Sequence, residues 1–541
     1  MPAAARRAVL ALMLAAGALA LASACGGVPQ VLEISPQRGA VDVRSSEPVR
    51  VRFDRQMDTA SVAARFHVSP SVPGTVHWSG GEELTFEHGT FSPSTQYQVV
   101  LDAGYRDAHG ATMTLRHAWS FRTEPPPLLA GASPGEGDGN VDPAAYIVLS
   151  FSREMDLDSL RRSISVSPGA AFAIRTDATD PRRVVLAPET LLDARQTYNV
   201  AVTHDARDVD GDRLGVGRLV SFTTGDFRPL KHWVGFIGEP SPGAGGDGVW
   251  IVNENRFPRR LITAPVSAFS WSPDGSRLLL RSPTGAWTDQ ALDGPAQPLS
   301  ISADWADYLA PGRGYAFLEH GRLQVLQPDG QVVPVATGVT TAAVAPGGGR
   351  LAYVTGDPTT AERAFEIRGY DVELRTRFPL GTEPAAIDGL AWSADGMGLA
   401  YRIDPGDPSR RQVKVRSLRD GGAVTVATGP VSAPVWQADR RHVFVTAPAG
   451  AGTLPKAFRF AVDDSSTKTF TAAQGLPGDQ GVPVTALSLS ADGHQLAFIS
   501  DTNGLPGVWS MNADGTGVTS LTDYDPVRFP YSCRAVDWTP A

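Results

Sequence analysis

Carboxylates at alternate positions offer the first chemistry to consider. Asp208-Val209-Asp210-Gly211-Asp212 sets three acids in five residues, an oxygen-rich donor set of the kind Ca2+ takes. The corresponding stretch one domain earlier, Asp107-Ala108-His109-Gly110, lacks that acidity. A hairpin turn is therefore the preferred reading, with Asp208, Asp210 and Asp212 kept as a metal candidate behind it. A second group is Asp404, Asp501, Tyr531 and Arg534. Tyr531 and Arg534 precede an inner strand of the repeats described below, and Asp404 and Asp501 follow second strands. They form a candidate binding rim, weighed against ordinary loop polarity. His-Glu-x-x-His, a Walker loop and a helix-opening Gly-x-Gly-x-x-Gly are all missing, and the ten His lack ligand spacing. No catalytic residue and no cofactor is expected. Cys533 precedes an inner strand and reads as a small buried hydrophobe.

Composition narrows the classes further. The chain has 541 residues, enough for several domains, and a 42% apolar share that can build cores. A net charge of -9 speaks against a nucleic-acid partner. Two cysteines rule out a disulfide scaffold or a Cys-rich zinc module.

The N-terminus carries Arg6 and Arg7, then an apolar run over Ala8–Leu21, then Ala22-Ser23-Ala24-Cys25. That is the three-part pattern of an export signal, too short and Ala-rich for a membrane span. Leu21-Ala22-Ser23-Ala24-Cys25 resembles the lipobox of bacterial lipoproteins. Ala22 stands where that motif prefers Leu, and Ala22-x-Ala24 also fits ordinary cleavage and secretion. The resemblance implies a signal peptide over 1–24, acylation of Cys25 and a tether over 25–29. Two acyl chains give a stable anchor.

Two stretches repeat. Val51-Arg52-Phe53-Asp54-Arg55-Gln56-Met57-Asp58 recurs as Leu149-Ser150-Phe151-Ser152-Arg153-Glu154-Met155-Asp156, and Phe66-His67-Val68-Ser69-Pro70 as Ile164-Ser165-Val166-Ser167-Pro168. Trp119-Ser120-Phe121-Arg122-Thr123 recurs as Val220-Ser221-Phe222-Thr223-Thr224 at an offset longer by three residues. This predicts a duplicated domain with one loop insertion near Thr176–Arg183. The alternation in Val49-Arg50-Val51-Arg52-Phe53 predicts half-buried strands and a β-sandwich. Asp58–Val62 and Asp156–Leu160 read as single helical turns. The ordered landmarks resemble the bacterial SbsA-type Ig-like domain over 30–124 and 128–225, which implies spacer or surface modules without catalytic residues.

After Gly225 a different unit recurs. Phe269-Ser270-Trp271-Ser272-Pro273-Asp274-Gly275 returns as Leu390-Ala391-Trp392-Ser393-Ala394-Asp395-Gly396 and Leu487-Ser488-Leu489-Ser490-Ala491-Asp492-Gly493. An apolar strand enters, a turn reverses it and an apolar strand returns. Anchor positions at Trp271, Leu309, Val344, Trp392, Trp436, Leu489 and Trp538 lie roughly 35 to 53 residues apart, a spacing that fits propeller blades. Trp538 has no second strand after it, and Val234-Gly235-Phe236-Ile237 has no first strand before it. The expectation is a seven-bladed β-propeller over 230–541, closed by pairing the C-terminal strand with the N-terminal ones; six blades is the alternative. The unit resembles the TolB-type repeat, a resemblance that implies binding of protein partners.

The fold class expected is all-β, two Ig-like sandwiches followed by a propeller. The functional expectation is a non-enzymatic lipoprotein of the cell envelope. Its spacers would present a propeller that binds protein or glycan, with membrane contact only through the lipid. The alternatives are an extracytoplasmic lyase or glycosidase with its site in the propeller mouth, and a purely structural envelope component. Carboxylates or His inside the channel would favour the enzyme; the inner-strand Trp, Ala, Ser and Leu favour binding.

Overall fold

The computed structural model describes residues 27–240, 248–356, 364–448, 454–462, 474–475, 484–502, 504–522 and 531–540. The expected signal peptide, Cys25 and the expected tether up to residue 26 lie outside the described residues.

In Val49–Phe53 the apolar residues are buried and both arginines exposed, as period-two alternation requires. This strand sits inside a sheet ordered Val31–Ser35, Val49–Phe53, Glu83–His88, Gly74–Ser79. Facing it are Phe66–Ser69, Gln96–Leu101 and His117–Arg122, with Val43 bridged in parallel to Thr123. The next domain repeats the plan. Leu129–Ser133, Ile147–Phe151, Arg183–Pro188 and Phe172–Thr176 form one sheet; Ile164–Ser167, Thr197–Val202, Arg218–Thr224 and Asp138–Val141 form the other. The loop from Thr176 to Arg183 is longer by three residues than its counterpart from Ser79 to Glu83. That is where the repeat offset changes.

Each core is filled from equivalent positions. Phe53, Tyr97 and Phe121 pack in the first domain; Phe151, Tyr198 and Phe222 pack in the second. Both tyrosine hydroxyls stay hydrogen-bonded, accepting from Ser92 N and Asp193 N at 2.9 Å each. The expected helical turns are Thr59–Ala63 and Leu157–Ser163, capped by the Asp58 and Asp156 carboxylates on Ser61 N and Ser159 N.

The chain then builds seven four-stranded antiparallel sheets among the described residues. The first is ordered Arg259–Ile262, Gly248–Val252, Val234–Pro240, Tyr531–Trp538, so its inner strand comes from the C-terminus. Val234 pairs with Trp538 and Phe236 with Val536. The second is the meander Ala268–Trp271, Arg277–Arg281, Trp287–Ala291, Ala296–Leu299. Five more span 305–337, 339–383, 386–428, 435–475 and 485–520. Successive sheets share hydrophobic clusters, such as Ile237 and Val249 against Trp271 and Leu278. The seventh sheet meets the first in the same way, through Ala497 and Val508 against Val234 and Trp538. The architecture is all-β and propeller-like.

The turn motif has a hydrogen-bonding basis. Ser272 Oγ donates to the Asp274 carboxylate at 2.6 Å and accepts from Arg277 N at 2.9 Å. Ser393 with Asp395 and Gly398 N, and Ser490 with Asp492 and Gln495 N, repeat it. Gly275 closes its turn at φ +72°, which glycine adopts freely. One anchor moves by a residue. Tyr308, not Leu309, pairs across its hairpin with Tyr315, as Trp271 pairs with Leu278. The turn after it, Ala310-Pro311-Gly312-Arg313, has no Ser-x-Asp-Gly landmark to set the register.

Candidate functional site

The acidic run of the second sandwich sits at a domain junction. Arg153, 17% exposed, reaches the Asp208 carboxylate at 2.9 Å and Asp212 at 3.4 Å, both almost fully buried. The same guanidinium pairs with Glu124 and donates to Pro125 O in the linker. Burial raises the Asp208 carboxyl, and Asp212 and Asp210 add to that rise. Asp210 points to the first sandwich. It accepts from Arg44 Nη2 at 2.6 Å, Arg44 Nε at 3.0 Å and Ser46 Oγ at 2.5 Å. Burial pushes its carboxyl up, and the bonds from Arg44 and Ser46 more than reverse that. The three acids are thus divided between two arginines, an arrangement that clamps domains. The first sandwich repeats part of it: Arg55 lies 3.7 Å from Asp107 and donates to Gly27 O at 2.7 Å, receiving the incoming chain as Arg153 receives Pro125.

A second junction ties the second sandwich to the first sheet of the propeller. Arg259 is fully buried. Its guanidinium lies 4.2 Å from the Tyr146 ring centre and 5.4 Å from that of Trp233, and donates to Ala145 O at 3.2 Å. Tyr146 OH donates to Asn253 Oδ1 at 2.9 Å. Ala144 and Leu191 pack beside it.

The rim residues do not converge. Asp404 holds Arg411 at 2.8 Å and accepts from Gly406 N. Asp501 follows its strand and is exposed, its backbone carbonyl accepting from Gly504 N. Arg534 pairs with Glu239 and donates to Val266 O and Ser267 O, stitching the first sheet to the second. Tyr531 pairs with Pro240 through its backbone; its side chain lies outside what is described. No hydrogen bond or ion pair joins Asp404, Asp501 and Arg534 among the described residues. Cys533 is buried in the cluster that joins the seventh sheet to the first.

The inner strands carry acids that the sequence reading passed over. Asp307 and Asp537 each stand one residue before an aromatic anchor, Tyr308 and Trp538. Their aligned partners are Ser270, Ala343, Ala391, Val435 and Ser488, so Ser270 lies between the two acids in sheet order. Ser488 Oγ donates to Asp537 Oδ1 at 3.1 Å. Burial pushes the Asp537 carboxyl up to about 7, with Asp307 adding to it, and pushes Asp307 up to about 6. The shared position before the aromatic anchor was the available signal. Asp388, on the fifth inner strand, is paired to Arg402 at 2.5 Å.

Two clefts of similar volume open between neighbouring sheets on the hairpin-turn face, beside a smaller one between the third and fourth sheets. One, of about 600 Å³, lies between the second and third sheets. Within it Asp289 takes bonds from Arg277 at 2.8 and 3.0 Å, from Tyr308 OH at 2.7 Å and from Tyr315 OH at 2.5 Å. The other, of about 570 Å³, lies between the fifth and sixth sheets and is lined by four arginines.

Residues 27–123 and 124–224 each match the bacterial Ig-like domain family. No curated protein matches the chain. Among solved structures it is similar to TolB from Acinetobacter baumannii at 13% identity, over 70% of this chain and 83% of that one, with a TM-score of 0.37. A putative TolB from Agrobacterium tumefaciens is 15% identical over 58% of this chain and 100% of that one, with a TM-score of 0.34. An oligogalacturonate lyase from Vibrio parahaemolyticus is 10% identical over 55% and 87%, with a TM-score of 0.39.

Proposed function

We propose that this chain is a non-enzymatic lipoprotein of the cell envelope, anchored through Cys25, whose two SbsA-type Ig-like domains present a closed seven-bladed propeller that binds protein or glycan. The observation that carries this reading is the pair of built junctions. Arg44 and Arg153 lock sandwich to sandwich, and the buried Arg259 locks the second sandwich to the first sheet. A chain held this way suits a spacer that sets the distance and direction of a binding head. Closure is supported by the Val234–Trp538 pairing and by the cluster shared between the seventh and first sheets. The test is crosslinking in intact cells followed by capture through the propeller. Recovery of one envelope protein or glycan that a propeller-deleted chain does not capture supports the reading; equal recovery by the two chains goes against it.

One observation favours the second reading, an extracytoplasmic lyase or glycosidase. Burial raises the Asp307 and Asp537 carboxyls, which stand on inner strands on either side of Ser270 in sheet order, and acids of unequal environment are what glycoside chemistry uses. Turnover of an envelope polysaccharide that Asp537→Asn abolishes would establish it.

A further inference from the structure

We propose that the cleft between the fifth and sixth sheets binds an anionic saccharide. This deepens the reading of the propeller as a binding head and rests on it. In a chain of net charge -9, Arg416, Arg419, Arg440 and Arg441 all line this one cleft. The acids beside them are already engaged by the turns. Asp395 accepts from Ser393 Oγ at 2.6 Å and Met397 N at 3.1 Å. Asp439 accepts from Arg441 N, His442 N and the His442 ring. Asp420 accepts from Gly422 N.

Arg419 and Arg440 therefore reach Asp395 only at 3.9 and 3.6 Å, beyond hydrogen-bonding range, and their side chains are 71% and 58% exposed. Arg441 is exposed and has no ion pair among the described residues. Arg416 is held at the cleft wall by Glu383 and Gly421 O. Three guanidinium forks are left with donors free for an oxyanion, which they match in plane and spacing. Trp436 adds an apolar surface in the same cleft, its ring fixed by Nε1 donating to Ala391 O at 3.0 Å. A planar cation set beside a fixed indole suits a sugar ring bearing a carboxylate or phosphate. The cleft between the second and third sheets has a similar volume but another chemistry, since its arginine, Arg277, is committed to Asp289.

Calorimetric titration of the purified full-length chain tests this with tetramannuronate, glucose 6-phosphate and neutral cellotetraose as probes. At least one anionic probe should bind with Kd of about 1 mM or tighter, and which one does identifies carboxylate or phosphate. Cellotetraose should not bind. Arg419→Ala with Arg441→Ala and Arg440→Asn should weaken binding about tenfold or more. Asn suits the left-handed backbone of Arg440, at φ +62°, so the variant should melt as the parent does. Gln297→Ala, in the other cleft, should leave binding unchanged. Binding of neither anion at about 10 mM, equal binding of cellotetraose, or an unaffected arginine variant of unchanged melting would overturn the proposal. Because the readout uses purified chain, its failure leaves anchoring and a protein partner untouched, and loss of anchoring leaves it standing.

Discussion

Tyr308 OH donates to the Asp289 carboxylate at 2.7 Å across the boundary between the second and third sheets. Burial, and then Asp289, hold that phenol in its protonated form. Arg277 and Tyr315 complete the acceptor's shell. Tyr308→Phe removes one donor and should cost about 1–2 kcal/mol. Asp289→Ala strips the partner from Arg277 and both phenols and should cost more, about 3 kcal/mol. Urea unfolding followed by tryptophan fluorescence measures both.

Arg153 faces three carboxylates with little water around them. Arg153→Ala should destabilise the second sandwich by about 3 kcal/mol at neutral pH, because Asp208, Asp212 and Glu124 lose their shared cation. Burial already raises the Asp208 and Glu124 carboxyls, so part of the loss should return near pH 4 as they protonate. Thermal unfolding of parent and variant at the two pH values decides it.

Asp307 and Asp537 make propeller stability depend on pH with a defined sign. Their folded pKa values, about 6 and about 7, lie above the ordinary 3.8. Below 3.8 both states hold the protons and no penalty applies. As pH rises toward 7 the unfolded chain ionises first and stability falls, levelling above 7. These residues are only partly covered, which moderates the effect to about 2 kcal/mol. Chemical denaturation at pH 5 and pH 8 should show it, and Asp537→Asn should reduce the difference to the share due to Asp307.

Three inner strands bulge at one shared position, three residues before the anchor, where Gly389, Ala486 and Ala535 all have positive φ. Glycine meets that geometry without strain, whereas alanine costs about 1–2 kcal/mol there. Ala535→Gly should therefore stabilise the propeller by up to about 1 kcal/mol after the added freedom of the unfolded chain is subtracted. A rise in the denaturation midpoint checks it.

What could be read from the sequence follows from how local each signal is. The duplicated sandwiches were legible because landmarks from Val51 to Asp58 return in order from Leu149 to Asp156. The hairpins were legible because Ser272, Asp274 and Gly275 act within one turn. Tyr308 was missed in favour of Leu309 because its turn replaces those residues. The division of Asp208, Asp210 and Asp212 between Arg153 and Arg44 was not legible, since Arg44 lies in another domain. Arg259 reads as a surface charge until Tyr146 and Trp233 enclose it. The arginine cleft joins residues from the fifth and sixth sheets, which only blade packing brings together.

We propose that Cys25 holds the chain at the envelope with the propeller as the exposed head. Fractionation of cells carrying the parent chain or Cys25→Ser, each with a propeller epitope probed on intact cells, measures it most directly. The parent should appear in the membrane fraction with the epitope accessible, and Cys25→Ser should be released into the soluble fraction. A soluble parent, or a Cys25→Ser chain that stays with the membrane, would contradict it.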